Sequence, residues 1–280
     1  MYRNIFLATL LGLLMAVPVS SKAPDNWNTQ LKVLHQIHPW ANKRVAWLGD
    51  SITDPNNKGS HLKYWHYLQQ WLGITPYVYG ISGNQWSDIP AQLHRLQAEH
   101  GQDVDAIVIM VGTNDFNAGI PIGHWYDEHR AIVEASQGLP RQRVVRMQRT
   151  LSLDPNTCKG RINIALDTLK RAYPTKQIVL LTPIHRGFAE FGRNNLQPDE
   201  SYTNDCGEYI SAYVEAVKEA GDVWAVPVID LFADSGLYPL HKQALQYFHD
   251  AKTDQLHPSD TGHERIARTL VYRLLSLPCF

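Results

Sequence analysis

The sequence predicts an α/β domain: a three-layer α/β/α sandwich around a central parallel sheet of about five strands. Two observations carry that reading. Short apolar runs rich in valine and isoleucine recur along the chain, and most are continuous rather than alternating, as strands buried on both faces require. Segments with helical spacing separate them, and regular alternation of strand and helix builds a parallel sheet covered on both sides.

In chain order, strands are expected from Arg44 to Leu48, Pro76 to Tyr79, Ala106 to Val111, Gln177 to Leu181 and Val223 to Val228. Helices are expected from Leu62 to Leu72, Ile89 to Ala98, Ile162 to Tyr173, Tyr209 to Ala220 and Thr261 to Leu275. The stretch from Phe116 to Asn156 breaks the rhythm, with Gly119, Pro121, Gly123, Gly138 and Pro140 set among charged residues. A long connection at the ligand rim is read as a lid or a substrate-shaping insertion, at about 116–156. Within it, Arg141 to Thr150 suits either a helix or one arm of a hairpin.

A chain of 280 residues can bury one full core. Its 26 lysines and arginines against 27 aspartates and glutamates leave a formal net charge of −1. With no basic stretch to track a phosphate backbone, nucleic-acid binding has no electrostatic footprint. The N-terminus has its own character: Arg3 precedes an apolar segment from Ile5 to Val17, followed by Pro18, Ser20 and Ser21. That is the layout of a secretory signal peptide, too short to span a bilayer as a helix. Residues 1–21 are therefore read as a signal peptide, 22–280 as the mature domain, and the protein as secreted or periplasmic. No later stretch approaches membrane-spanning length. In an oxidising compartment Cys158 can bridge Cys206, leaving Cys279 unpaired, or all three stay as thiols. None has metal-ligand spacing, and no metal is expected.

Ligands of open α/β sheets sit beyond the carboxyl ends of the strands. Gly49 to Thr53, Gly80 to Asn84, Gly112 to Asp115 and Thr182 to Gly187 all fall at such ends, so independent loops converge on one rim. Ser51 stands at the exit of the first strand, where its hydroxyl can project above the sheet. A hydroxyl is a poor nucleophile until a base takes its proton, and the base works best when a third group fixes its tautomer. Asp254 and His257 offer that pair, held out of a helix by Pro258. Gly83 lets backbone approach a ligand, and Asn114 carries a side-chain donor. With the Ser51 N–H they can surround a developing oxyanion. Asp50 and Asp115 are expected to brace their loops, and His263 to cap or pack the last helix rather than act as the base.

Gly49-Asp50-Ser51, Gly83, Gly112-Thr113-Asn114-Asp115 and Asp254-Gln255-Leu256-His257 resemble the four sequence blocks of the SGNH (GDSL-type) hydrolases, in the right order. The resemblance spans the chain from the first strand to the last helix. It implies Ser51 as nucleophile, His257 as base, Asp254 as its orienting acid, and Ser51, Gly83 and Asn114 as the oxyanion hole. It also implies a flavodoxin-like sandwich and two-step acyl transfer without metal or organic cofactor. The insertion after Asp115 departs from the family pattern and leaves the substrate open.

A carbohydrate ester, most simply an O-acetyl ester, is the expected substrate, in the manner of the secreted acetylesterases that act on glycans. The rim is polar and aromatic, with Trp86, Trp125, Tyr126, His185 and Arg186, and no long apolar stretch suits an acyl tail. Of these, Trp86, His185 and Arg186 are the candidate substrate contacts. The alternatives are a lipid acylhydrolase, lysophospholipase or thioesterase with the same triad, and a non-catalytic glycan-binding protein. The last has no use for Ser51, Gly83, Asn114, Asp254 and His257 together. The sequence does not indicate an oligomeric state.

Overall fold

The computed structural model describes residues 26–279, apart from 137 and 139. The expected signal peptide lies outside the described residues. The chain divides into two units, Met1–Ile37 and His38–Phe280. The described part of the first is one helix, α1 (Asn26–Ile37). Among the described residues no helix is long and apolar enough to cross a membrane.

The second unit opens with β1 (Arg44–Gly49), α2 (Tyr64–Leu72), β2 (Thr75–Val78), α3 (Ile89–His100), β3 (Ala106–Met110) and the short α4 (Thr113–Asn117). A hairpin of β4 (Tyr126–Ala135) and β5 (Gln142–Leu151) follows, then α5 (Cys158–Ala172) and β6 (Gln177–Leu181). Two short strands, β7 (Ala189–Glu190) and β8 (Leu196–Gln197), precede α6 (Ile210–Trp224), β9 (Val228–Ile229) and α7 (Leu231–Asp234). The chain ends with β10 (Phe248–Asp250), β11 (Asp254–Pro258) and α8 (Asp260–Leu274).

The central sheet has five strands in the order β2-β1-β3-β6-β9, and every pairing in it is parallel. All residues of β3 and β6 are buried, which is why these runs read as continuously apolar rather than alternating. Side chains of β1 divide between two layers. Ala46 and Leu48 join Ile107, Ile109 and Leu180 in a core that also takes Ile89, Leu93 and Leu96 from α3, Leu166 from α5 and Val217 from α6. Trp47 serves the opposite face, its ring edge-on to Tyr64 of α2 at 5.4 Å, and α2 packs against α8 on that side. Burying each such leucine or isoleucine contributes about 1.5–3 kcal/mol. The predicted three layers are present.

One expectation changes, and two open alternatives are resolved. The run from Val223 to Val228 is not a strand: α6 continues to Trp224, and only Val228–Ile229 joins the sheet. Gly221 lets the helix approach the sheet, since a Cβ there would meet Val228 Cγ2 at 2.6 Å. The stop is Ala225, which takes the left-handed conformation at φ 51°. Second, Gln142–Leu151 is a hairpin arm, paired from Tyr126↔Leu151 to Ala135↔Gln142. Its base is clamped, because Trp125 O accepts from Ser152 N and Asn163 Nδ2, both at 3.0 Å. Trp125 Nε1 donates to Glu219 at 2.7 Å. Third, Cys158 and Cys206 are both free thiols. Cys158 faces the core from the start of α5, whereas Cys206 is exposed, its Sγ on Asn204 Oδ1 at 3.2 Å.

Candidate active site

The site grows from the carboxyl end of β1. Gly49 ends that strand, where a Cβ would run into the Met110 carbonyl oxygen of the neighbouring β3. The chain then turns, with Thr53 N and Asp54 N both donating to Asp50 O at 3.1 and 2.9 Å. Asp50 braces this turn as expected, its Oδ1 accepting the Ile52 N–H at 3.0 Å. Burial pushes its carboxyl up to about 7 against that hydrogen bond, and the nearby Asp115 charge adds to the rise. Ser51 is left at the crest of the turn.

Strand β11 brings the imidazole. His257 Nε2 lies 2.9 Å from Ser51 Oγ. On the other side of the ring, Nδ1 lies 2.9 Å from Asp254 Oδ2 and 3.1 Å from Oδ1. An ionised carboxylate only accepts, so Nδ1 carries the ring proton and Nε2 presents its lone pair to the serine hydroxyl. Asp254 Oδ1 also takes the backbone N–H of His257 at 3.0 Å and of Leu256 at 3.3 Å. Burial pushes the Asp254 carboxyl up, but the His257 ring and these N–H groups outweigh it and hold it below the usual range. All three residues are buried, Ser51 to 5% and His257 to 8% exposure.

The loop between β1 and α2 supports the imidazole. A Cβ on Gly59 would sit 3.0 Å from His257 Cβ, so this backbone packs directly on the histidine. The buried Lys63 pins the loop, its Nζ donating to Asn57 O at 2.7 Å and Ser60 Oγ at 2.8 Å. Asp260 Oδ1 accepts the His61 and Leu62 N–H groups. His263 is fully buried, accepts the Tyr64 N–H at Nδ1 and stacks on Tyr64. Burial holds it well below the ordinary histidine range, a neutral packing residue as expected.

On the other side of the serine, the turn after β2 is closed by Asn84 N donating to Ile81 O at 3.1 Å. Gly83 takes φ 86° within it, a conformation that favours glycine. Asp54 Oδ2 anchors the turn by accepting from Ser82 N and Oγ. Asn114, in α4, donates its Nδ2 to Asn84 O at 3.0 Å. Gln92 completes the frame: its Oε1 accepts the Gly49 N–H, and its Nε2 donates to Gly49 O and Asn84 Oδ1, both at 2.7 Å. Asp115 braces the next loop, accepting from Trp86 N at 3.0 Å and Arg161 Nη1 at 3.1 Å. Burial pushes its carboxyl up to about 6 against both of these partners.

Two of the three expected substrate contacts are corrected. Trp86 is fully buried within the core and offers no ring face to a ligand. Arg186 is 1% exposed; its guanidinium donates to Gln197 Oε1 at 2.7 Å and lies over the Phe116 ring at 5.4 Å. Burial pulls it down to about 10. Both residue types read as sugar contacts only because sequence does not show which way a rim side chain turns. His185 is half-buried, held by Glu200 Oε1 at 2.6 Å, with its ring tilted 31° against that of Phe232 at 3.5 Å.

Sequence reading missed Asp54, Gln92 and Phe191, whose ring centroid lies 5.3 Å from that of His257. Gln92 did leave a signal, since it interrupts the apolar stripe Ile89, Leu93 and Leu96 of α3, and a polar residue on a buried stripe needs partners. Phe191 left none. Among the described residues no group of three or more His, Cys, Asp or Glu side chains is arranged to hold a metal ion. What the constellation can do is move a proton from a buried hydroxyl to an imidazole whose tautomer is fixed, beside a glycine turn and an amide donor.

Residues 47–265 match the GDSL-like lipase/acylhydrolase family. No curated protein matches the chain. Among solved structures, a protein from Lactobacillus plantarum is 27% identical, with a TM-score of 0.62 over 85% of this chain and 98% of its own. A possible lipase from Chitinophaga pinensis is similar in fold, with 20% identity and a TM-score of 0.61 over 84% of this chain and 99% of its own.

Proposed function

The chain belongs to the GDSL-like lipase/acylhydrolase family, the SGNH hydrolases, and from that premise we propose that Ser51, His257 and Asp254 are the catalytic triad of a carboxylic ester hydrolase. The observation that carries this reading is the unbroken hydrogen-bonded chain from Ser51 Oγ through both ring nitrogens of His257 to Asp254. Ser51 attacks the ester carbonyl while His257 takes its proton. The Ser51 and Gly83 N–H groups and the Asn114 amide receive the charge on the carbonyl oxygen. His257 then returns the proton to the leaving alcohol. Water, activated by the same imidazole, attacks the acyl-enzyme and releases the acid.

The favoured substrate is an O-acetyl ester on a carbohydrate, met outside the cytoplasm. The expected signal peptide at residues 1–21 supports export, and the half-buried His185 is what remains of the expected polar rim in support of a sugar over a lipid. Turnover of acetyl and octanoyl chromogenic esters, followed by acetate release from acetylated oligosaccharides, tests this. Acetyl preference with acetate release is expected. A clear preference for octanoyl esters overturns the carbohydrate reading and places the enzyme with the lipid acylhydrolases.

A further inference from the structure

Phe191 holds a place that the mechanism leaves undescribed. Its ring centroid lies 5.3 Å from that of His257, at an interplanar angle of 55°. It is nonetheless 42% exposed, a large apolar side chain at the mouth of a site whose triad is buried. An apolar ring left part-exposed beside the imidazole presents a face that a ligand in the site can cover.

The ring is not on a loose loop. Phe191 follows β7, which pairs with β11 at Ala189↔Asp254, the strand that carries the acid and the imidazole. Gly187 N donates to Gln255 O at 2.8 Å, Gln255 N to Phe188 O at 2.9 Å, and Glu190 N to Thr253 O at 2.8 Å. The turn beyond is closed by Phe191 N on Asn195 O at 2.8 Å and Asn195 N on Gly192 O at 3.0 Å. Gly192, at φ 122°, makes that turn possible. Backbone hydrogen bonds therefore fix the main chain that carries the ring relative to the strand that carries the imidazole.

The chemistry decides which half of an ester meets it. In acyl transfer the imidazole protonates the leaving oxygen, so the alcohol half of the substrate lies against the histidine, while the carbonyl oxygen points to the oxyanion donors. A ring beside His257 thus borders the leaving group rather than the acyl group. We infer that Phe191 is a specificity residue of the leaving-group subsite, whose flat face stacks on an alcohol with an apolar ring face, as the C–H face of a pyranose provides.

This rests on the esterase reading above, and the two fail differently. Phe191→Ala, Phe191→Leu and Phe191→Trp are assayed on methyl acetate and on a peracetylated pyranoside, which share the acyl group. Phe191→Ala and Phe191→Leu lower kcat/KM on the pyranoside ~tenfold, the scale of one aromatic contact, and leave methyl acetate within ~twofold of wild type. Phe191→Trp keeps the pyranoside rate. The single-turnover deacylation constant stays unchanged in all three, because the alcohol has left before that step. Equal losses on both esters, or slowed deacylation, mean that the ring merely supports His257 and overturn the proposal. Methyl acetate turnover is the internal control for folding and for the triad, so a failure of the esterase reading shows itself in wild type, before any Phe191 variant is compared.

Discussion

Asp54 Oδ2 accepts both the backbone N–H of Ser82, at 2.9 Å, and its hydroxyl, at 2.7 Å. The turn that carries Ser51 is thereby tied to the turn that carries Gly83, so that one carboxylate sets the proposed nucleophile and the proposed oxyanion donor. Hydrogen bonds to an ionised acceptor are the stronger kind.

Asp54→Ala releases the Gly83 turn. Since a misplaced oxyanion donor weakens only the transition state, kcat falls on the order of tenfold while KM changes little. Stability drops by about 1–3 kcal/mol as Ser82 loses its acceptor. Steady-state kinetics on an acetyl ester and urea denaturation measure both. A change confined to KM contradicts the assignment.

Gln92→Leu keeps the volume and removes three hydrogen bonds, the buried ones to Gly49 N and Gly49 O and the part-buried one to Asn84 Oδ1. Gly49 N–H is left out of water without its acceptor, and Gly49 O keeps only the Ile81 N–H at 3.2 Å, at a loss of about 2–4 kcal/mol. For a domain of this size the melting temperature falls roughly 5–15 °C. A variant as stable as wild type shows that the clamp carries no energy.

Asp254→Asn is expected to be at least as damaging as Asp254→Ala. An amide can donate to Nδ1 and so stabilise the tautomer that places the ring proton on Nε2, facing Ser51, where it blocks proton transfer. A loss on the order of 10³–10⁴ in kcat follows. If Asp254→Asn keeps most of the activity, Asp254 does not set the tautomer.

Asp50 gives a pH dependence of stability whose sign is definite. Its folded-state carboxyl is raised to about 7 from an ordinary 3.8, so the folded protein holds a proton that the unfolded chain has released. Its contribution is complete below about pH 4 and is lost as pH rises through about 7, at up to about 1.4 kcal/mol per pH unit. Asp50→Asn keeps the acceptor for Ile52 N–H and never ionises, so its stability relative to wild type grows between pH 5 and pH 8. Urea midpoints at the two values test this, and a constant difference contradicts it.

Much of this architecture was legible in the residues. The continuously apolar β3 and β6 could only be doubly buried strands, and the glycine and proline punctuation placed the rim loops correctly. Ser51, Asp254 and His257 were legible because their chemistry demands one another and Pro258 keeps the histidine extended. What failed were questions of direction and contact. Trp86 and Arg186 sit on rim segments yet turn inward, and the pattern of a loop, unlike that of a strand or helix, has no period from which facing can be read. That α6 runs on past Ala220 depends on the close contact of Gly221 with Val228, which is a tertiary fact. Phe191 was invisible for the same reason, since its neighbour His257 lies on another strand.

The most direct test is turnover of an acetyl chromogenic ester by Ser51→Ala, with melting temperature as the control for folding. The account predicts an unchanged fold and a loss of at least ~10⁴ in kcat, leaving only what the remaining site contributes without its nucleophile. A folded Ser51→Ala protein that turns over at the wild-type rate would contradict it, because the hydroxyl 2.9 Å from His257 Nε2 would then take no part in the reaction.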